Sequence, residues 1–377
     1  MQFKDIIGQD SVKDHLRRMY DTRRMSHATL LAGPEGSGAL PLAIAYAQYI
    51  NCTGDKSNGD SCGICPSCVK YKKLAHPDLH FIYPTISRGD STSSDTYLTE
   101  WRQMFDNSIY FDSGQWTTMM GGAKQAIINK NDALAIHQKL SLQPFEAEYQ
   151  VLIMWRPELM NEASANKILK ILEEPPRKTL FILVSEHPTE ILPTILSRAQ
   201  MLKVSPVDES NIKKHLMVRY NMNEADSSRL AHISNGNIIT MLKLIGQMNE
   251  NNANLTTFMS VMRTCYTRNV IEMRKLSEQI GKAMSRDQLK DFLKYSIHMV
   301  RENFMLNLAE PQLVYMTPDE ENFSQKFSRF IHVGNVFQMV DLFDEAISQI
   351  EQNGNAHIIL LDMFLQLTIL LKIARPE

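Results

Sequence analysis

An apolar run, Ala28-Thr29-Leu30-Leu31-Ala32, passes directly into Gly33-Pro34-Glu35-Gly36-Ser37-Gly38, and a helix-patterned stretch follows over residues 43–50. Strand, glycine-rich loop and helix in that order are what a phosphate-binding loop requires, because glycines let backbone N–H groups wrap an anion at a helix N-terminus. The order also places the chain among folds built on a parallel sheet. The chemistry of such a loop is nevertheless missing. Ala39 and Leu40 stand where a Lys, which neutralises the outer phosphates, and a Ser or Thr, which holds Mg²⁺, are needed. A loop with neither reads as a scaffold more than as a catalyst.

Beyond the loop, the first 205 residues alternate short apolar runs with helical periods, the pattern of an α/β domain. Strands are expected at 28–32, 79–83, 150–154 and 179–184. Between the last two, Ala165, Ile168, Leu169 and Leu172 keep helical spacing over 161–174, and Pro175-Pro176 ends the helix. Residues 87–130 look like an insertion: a polar run from Ser87 through Asp95 gives way to Trp101, Phe105, Tyr110, Phe111 and Trp116, so a partly ordered hydrophobic half is expected. From Val207 onward strand signals fade. Residues 206–246 read as a small helical unit around an Asn235-Gly236-Asn237 turn, residues 249–254 as a polar linker, and 255–377 as an all-helical domain.

With 377 residues, 44% of them hydrophobic, the chain can bury more than one core, and two or three domains are expected. A net charge of −2 gives no global drive toward nucleic acid. Arg17-Arg18 and Arg23-Arg24 could face phosphates, but a solvated helix face is their default reading. The N-terminus lacks a long apolar segment, and the most apolar stretch, 358–373, is interrupted by Asp362, Gln366 and Lys372. A cytoplasmic protein without a membrane span is the expectation. The 22 methionines are expected mainly as core filler.

Four of the five cysteines, Cys52, Cys62, Cys65 and Cys68, form a C-x9-C-x2-C-x2-C cluster. Four thiolates at such short separations suit one tetrahedral Zn²⁺, with Gly63 and Pro66 supplying tight turns, and a reducing compartment argues against disulfides. Sulfur at all four positions leaves no open coordination place, so the expected role is structural. His76 lies near enough to compete as a ligand, although in Ala75-His76-Pro77-Asp78 a turn-anchoring role fits it better. Cys265 is isolated and expected in a core.

The glycine-rich loop, the cysteine cluster after it, His76-Pro77-Asp78, the segment Asn166-Lys167-Ile168-Leu169-Lys170-Ile171-Leu172-Glu173-Glu174-Pro175-Pro176 and then Leu196-Ser197-Arg198 occur in one order. In combination they resemble the bacterial DNA polymerase III clamp-loader subunits of the AAA+ class, over most of residues 1–245. The resemblance implies an AAA+ P-loop-type domain over 1–205 with an inserted zinc module at 52–68, a helical lid over 206–246 and a C-terminal collar over 255–377. Within the family the choice lies between the ATP-hydrolysing gamma/tau subunits and the non-hydrolysing delta-prime subunits. Such an ATPase ends a buried strand with Asp-Glu, for metal and attacking water. Here that strand runs into Trp155-Arg156. The motor subunits would also carry a lid Arg after Gly236, where this chain has Ile238 and Ile239.

With loop Lys, acidic pair and lid Arg all missing, the resemblance points to a delta-prime-type subunit, with no functional ATP site and only a vestigial loop at Gly33, Gly36 and Gly38. Arg198 survives. By resemblance it is an arginine finger reaching in trans to the ATP of a neighbouring subunit, the usual following Cys being Ala199 here; otherwise it pairs with a local carboxylate such as Glu190. Ser185 matches a polar sensor position, but a turn role suits it better, and adjacent Glu173 and Glu174 diverge by about 100° on a helix, too far for paired acid–base work. The implied partners are gamma/tau and delta subunits in a hetero-oligomer, a sliding clamp, and primed DNA through the complex. Two other readings stay open: a gamma/tau-like ATPase with an unorthodox site, and a zinc-dependent nucleic-acid-binding protein, although the cysteine cluster lacks interleaved basic and aromatic residues.

Overall fold

The computed structural model describes residues 1–89, 92–122, 125–141, 143–307 and 316–374. It comprises two compact units, Met1–Leu244 and Ile245–Glu377. The first is built on a parallel sheet of β1 (Ala28–Ala32), β2 (Leu79–Ile82), β3 (Gln150–Trp155), β4 (Thr179–Ser185) and β5 (Gln200–Lys203). Their order across the sheet is β2-β3-β4-β1-β5. The four apolar runs form strands as expected. β5 was not expected: it is a short edge strand, Gln-Met-Leu-Lys, mostly exposed, and it is recruited by pairing with β1, Leu31 opposite Leu202. β1, β3 and β4 are buried at every position, covered on both faces, which is why their centres are continuous apolar runs rather than alternating ones.

Side chains of each strand still divide between two cores, because successive residues point to opposite faces. Val151, Ile153 and Trp155 join one, with Leu31, Ile182 and Val184, under α1 (Asp10–Asp21) and α2 (Ala39–Ile50). Leu152 and Met154 join the other, with Leu30, Phe181 and Leu183. The cysteine segment leads into α3 (Pro66–Lys72), and α4 (Leu98–Asn107) and α5 (Ser113–Met119) follow. The second core is closed by α6 (Lys130–Leu140), α7 (Glu162–Glu173) and α8 (Pro193–Leu196). α7 starts where Asn161 Oδ1 accepts the Ser164 amide at 2.9 Å and stops before Pro175-Pro176.

Of the stretch 87–130, residues 90, 91, 123 and 124 lie outside the described residues, and its aromatic half is ordered. Trp101, Phe111 and Trp116 are buried in the first core, Trp101 stacks on Tyr83 at 4.0 Å between centroids, and the Trp116 indole donates to the Pro84 carbonyl at 2.8 Å. Large rings on α4 and α5 need the sheet face to leave water, and the sheet face needs them. One expectation is corrected, the polar linker at residues 249–254. After α9 (Glu209–Tyr220) and α10 (Glu224–Ser234), α11 runs unbroken from Ile238 to Thr267, and the division between the units falls inside it. An Asn-rich segment loses only about 0.7 kcal/mol or less per residue in helix propensity, and the apolar periods on both sides carry it.

The second unit is helical throughout its described residues. The rest of α11 is followed by α12 (Val270–Ala283), α13 (Arg286–Asn307), α14 (Pro318–Phe327), α15 (Val336–Glu351) and α16 (Ala356–Leu370). Phe258, Phe292, Phe343, Phe364, Met299, Met339 and Met363 form its centre, joined by Cys265, so methionine serves here as core filler. No helix among the described residues is long and apolar enough to cross a membrane. α16, the most apolar of them, buries Leu360, Met363, Phe364 and Leu367 but leaves Ile358, Leu365 and Ile369 exposed on the opposite side, ending at Leu370 rather than 373.

Candidate functional site

The loop Gly33 to Gly38 leaves β1 at the carboxyl end of the sheet, where ligands of open parallel sheets bind. Gly36 and Gly38 take left-handed backbone, φ 75° and 87°, which only glycine adopts without strain, and Gly38 lets α2 begin immediately at Ala39, four residues earlier than its apolar pattern suggested. The backbone of a phosphate cradle is therefore intact. Its contents are different. Ala39 and Leu40, in place of the cation and hydroxyl, are buried in the first core. The Ser37 hydroxyl is buried without a hydrogen-bond partner among the described residues.

Opposite the loop stand Ile109, Tyr110 and Phe111, from the stretch expected to be an insertion, together with Trp155, Val184 and Ile239. Phe111 meets Trp155 edge-on at 5.6 Å, and the Tyr110 hydroxyl accepts the Ile7 amide at 2.9 Å. Between loop and rings remains a cavity of about 30 Å³, room for one or two waters and far too little for a row of phosphates. Its lining includes two carboxylates, Glu35 and Glu186, and no Lys or Arg among the described residues. No described lining residue carries the positive charge that would draw an anion in.

The end of β3 is inverted in charge as the sequence indicated. Trp155 is packed among the rings, and Arg156 turns into left-handed backbone at φ 57°, its Nε 3.5 Å from Glu158 and 3.6 Å from Glu186. Burial pushes the Glu186 carboxyl up, against the pull of Arg156. A guanidinium between two glutamates satisfies charge locally; it does not orient a metal or polarise water. Ser185 accepts the His187 amide at 3.2 Å, a turn contact, and Ile238 and Ile239, where the resemblance implied an Arg, are buried.

Arg198 lies just after α8 and is not among the residues lining the loop cavity. Its guanidinium donates to the Thr194 carbonyl at 2.7 Å and pairs with Glu173 at 2.6 Å, so the local carboxylate is Glu173, at the end of α7, rather than Glu190. About a third of the Arg198 side chain remains exposed. Arg17 is likewise engaged, by Asp14 and by the Gly59 carbonyl.

The four cysteines converge. The Sγ atoms of Cys52, Cys62, Cys65 and Cys68 all lie within 4.8 Å of one another, with Cys62 and Cys68 at 4.0 Å. A tetrahedral zinc–thiolate centre with bonds of about 2.3 Å sets sulfur separations of about 3.8 Å, so the set could hold such an ion. Backbone amides point at the sulfurs in the manner of a ligand shell: Cys62 toward Cys52, Cys65 toward Cys62, and Cys68 toward Cys65, at 3.3 to 3.4 Å. Burial opposes ionisation of Cys65, but the Thr53 hydroxyl and amide and the Cys68 amide outweigh it and bring the thiol down to about 5. Burial pushes Cys52 and Cys68 up. A dication is what lets four such thiols ionise together. His76 does not join them; its ring packs tilted against Tyr71 at 4.6 Å between centroids, and its Nδ1 accepts the Asp78 amide at 3.1 Å.

Sequence reasoning missed two features of this region. Tyr110 and Phe111 close on the loop, for which Trp155 at the end of β3 was the available signal, since a large ring there needs partners. Glu173 receives Arg198, and nothing in the local spacing announces that contact.

Parallel sheet, glycine loop and cysteine cluster together define a P-loop-type α/β chain with a thiol-rich module. The family profile of the DNA polymerase III delta subunit matches residues 8–208, more than half of the chain, and the chain belongs to that family. DNA polymerase III subunit delta' of Bacillus subtilis is 26% identical over 209 residues, covering 55% of this chain and 51% of the relative. Subunit gamma/tau of Mycobacterium tuberculosis is 27% identical over 198 residues, covering 52% of this chain and 27% of the relative. The chain thus spans about half the length of the first relative and about a quarter of the second. A gamma subunit-related protein of known structure from Thermotoga maritima aligns over 94% of this chain and 99% of its own with 13% identity and a TM-score of 0.34, a likeness too loose to argue from.

Proposed function

We propose that this chain is an ATP-inert, delta-prime-type subunit of a DNA polymerase III clamp loader, acting in the cytoplasm with gamma/tau and delta subunits to place a sliding clamp on primed DNA. The observation that carries the reading is the content of the loop: aliphatic Ala39 and Leu40 and two cavity carboxylates stand where phosphoryl transfer needs positive charge. In this reading residues 1–205 form the P-loop-type domain, 206–246 its lid and 255–377 the collar. Arg198, outside its own loop cavity and partly exposed, is the finger offered to a neighbour's ATP. Reconstitution with motor, delta and clamp subunits tests the assignment: clamp loading should require this chain, and loading at full rate without it would overturn the reading. The gamma/tau relatives keep one alternative in view, an unorthodox ATPase, which turnover by the isolated chain would favour.

Two further outcomes follow from the same assignment. The cysteine cluster is a structural zinc site, so freshly purified protein should carry about one zinc per chain, lost in Cys68→Ser; metal analysis well below one equivalent would reject it. On α16, Ile358, Leu365 and Ile369 recur on one exposed face at helical spacing, a stripe suited to a collar contact. Ile358→Glu with Ile369→Glu should weaken assembly about tenfold or more in a subunit titration, while the helix itself, whose buried side is untouched, should keep its circular dichroism.

A further inference from the structure

We infer that the segment Ile109 to Asp112 is a permanent internal occupant of the degenerate loop, taking the place of a nucleotide and fastening the helical residues after Gly236 to the loop in one fixed arrangement. The inference rests on the reading of the loop as inert and goes beyond it, because an empty loop would satisfy that reading equally well.

The contacts run in a chain from loop to lid. A Cβ built on Gly38 would stand 3.3 Å from Tyr110 Cε1, so this ring lies against the first turn of α2, where phosphates dock on a helix N-terminus. Phe111 fills the space in front of the loop and is locked by Trp101 and Trp155. Asp112 then reaches outward: one oxygen caps α5 by accepting the Gln115 amide at 2.7 Å, and the other pairs with Lys243 of α11 at 2.6 Å. From the lid side, the Ile238 amide donates to the Gly36 carbonyl at 3.1 Å. Asn237, which caps α11 through the Thr240 amide at 3.0 Å, presses so closely on Gly36 that a Cβ there would collide with it. In a working site the phosphates would stand between loop and lid and couple them. Here aromatic rings and one carboxylate make the equivalent connection, within the chain and with no dissociation step.

Calorimetric titration with Mg-ATP of four full-length proteins tests this: wild type, Ala39→Lys/Leu40→Thr, Tyr110→Gly/Phe111→Ala, and all four substitutions together. The internal occupant predicts that restoring the loop residues alone does not restore binding, whereas the combined variant binds at least about tenfold more tightly than the loop-restored one. Equal affinities in those two, including equal failure to bind, overturn it while leaving the inert-loop reading intact. Binding by the wild type would instead sink the inert-loop reading. Because Phe111→Ala removes a core ring, a second measurement uses Asp112→Asn, since Asn caps a helix as well as Asp and only the charge toward Lys243 is lost. Hydrogen exchange at amides 238–244 should quicken about threefold or more, with amides 292–300 unchanged. Unaltered exchange at 238–244 overturns the fastening role.

Discussion

In the proposed complex, Arg198→Ala is expected to slow ATP cleavage at a neighbouring subunit's site by about 10³-fold or more, the scale of an arginine finger delivered in trans. The effect belongs to chemistry, so single-turnover rates should fall while assembly is unchanged. The side chain is suitably held: Glu173 and the Thr194 carbonyl orient the guanidinium, yet about a third of it remains accessible. An exposed pair of this kind is worth about 1 kcal/mol or less, too little to keep the arginine from a phosphate. Arg198→Lys should recover only part of the rate, because an ammonium lacks the planar fork that matches phosphate oxygens. A single-turnover rate that Arg198→Ala leaves unchanged would remove the finger from the account.

Trp101→Ala should cost the first unit about 3–5 kcal/mol, the usual range for emptying a buried aromatic site. Trp101 is fully buried and touches the rings of Tyr83, Trp116, Phe111 and Trp155, with centroids at 4.0, 5.1, 5.7 and 5.6 Å. Its loss would therefore loosen the wall opposite the loop as well as the core. All three tryptophans lie in this unit, so the urea midpoint followed by the fluorescence of Trp116 and Trp155 reports on it. Trp101→Phe provides the contrast. The Trp101 indole N–H is buried without a partner among the described residues, and removing an unsatisfied donor offsets part of the lost packing, so this variant should lose much less. A midpoint shift worth under about 1 kcal/mol for Trp101→Ala would mean that α4 and α5 are peripheral after all.

What the sequence disclosed and what it hid divide along the range of the interactions. β1, the loop and α2 were legible because turn chemistry and apolar run are adjacent in the chain, and the cysteines because metal spacing is local. β5 was not: four residues with two polar ends become a strand only when β1 offers its free edge. The Asn-rich 249–254 segment misled because propensity is a weak prior, overridden by Ile245 on one side and Leu255 and Phe258 on the other. Loss of the loop's Lys and hydroxyl could be read from Ala39 and Leu40 alone. What fills the space instead could not, since Tyr110 and Phe111 arrive from a segment seventy residues away. Arg198 was singled out by its motif, and its ion-pair partner Glu173 required the fold.

The central claim is that this chain supplies a residue for hydrolysis and performs none. ATP turnover by the purified chain alone, with Mg-ATP and primed DNA, followed by addition of the motor and delta subunits, tests it most directly. The account predicts no turnover above background until the partners are added, then a rate that depends on Arg198. Robust turnover by the isolated chain would contradict it.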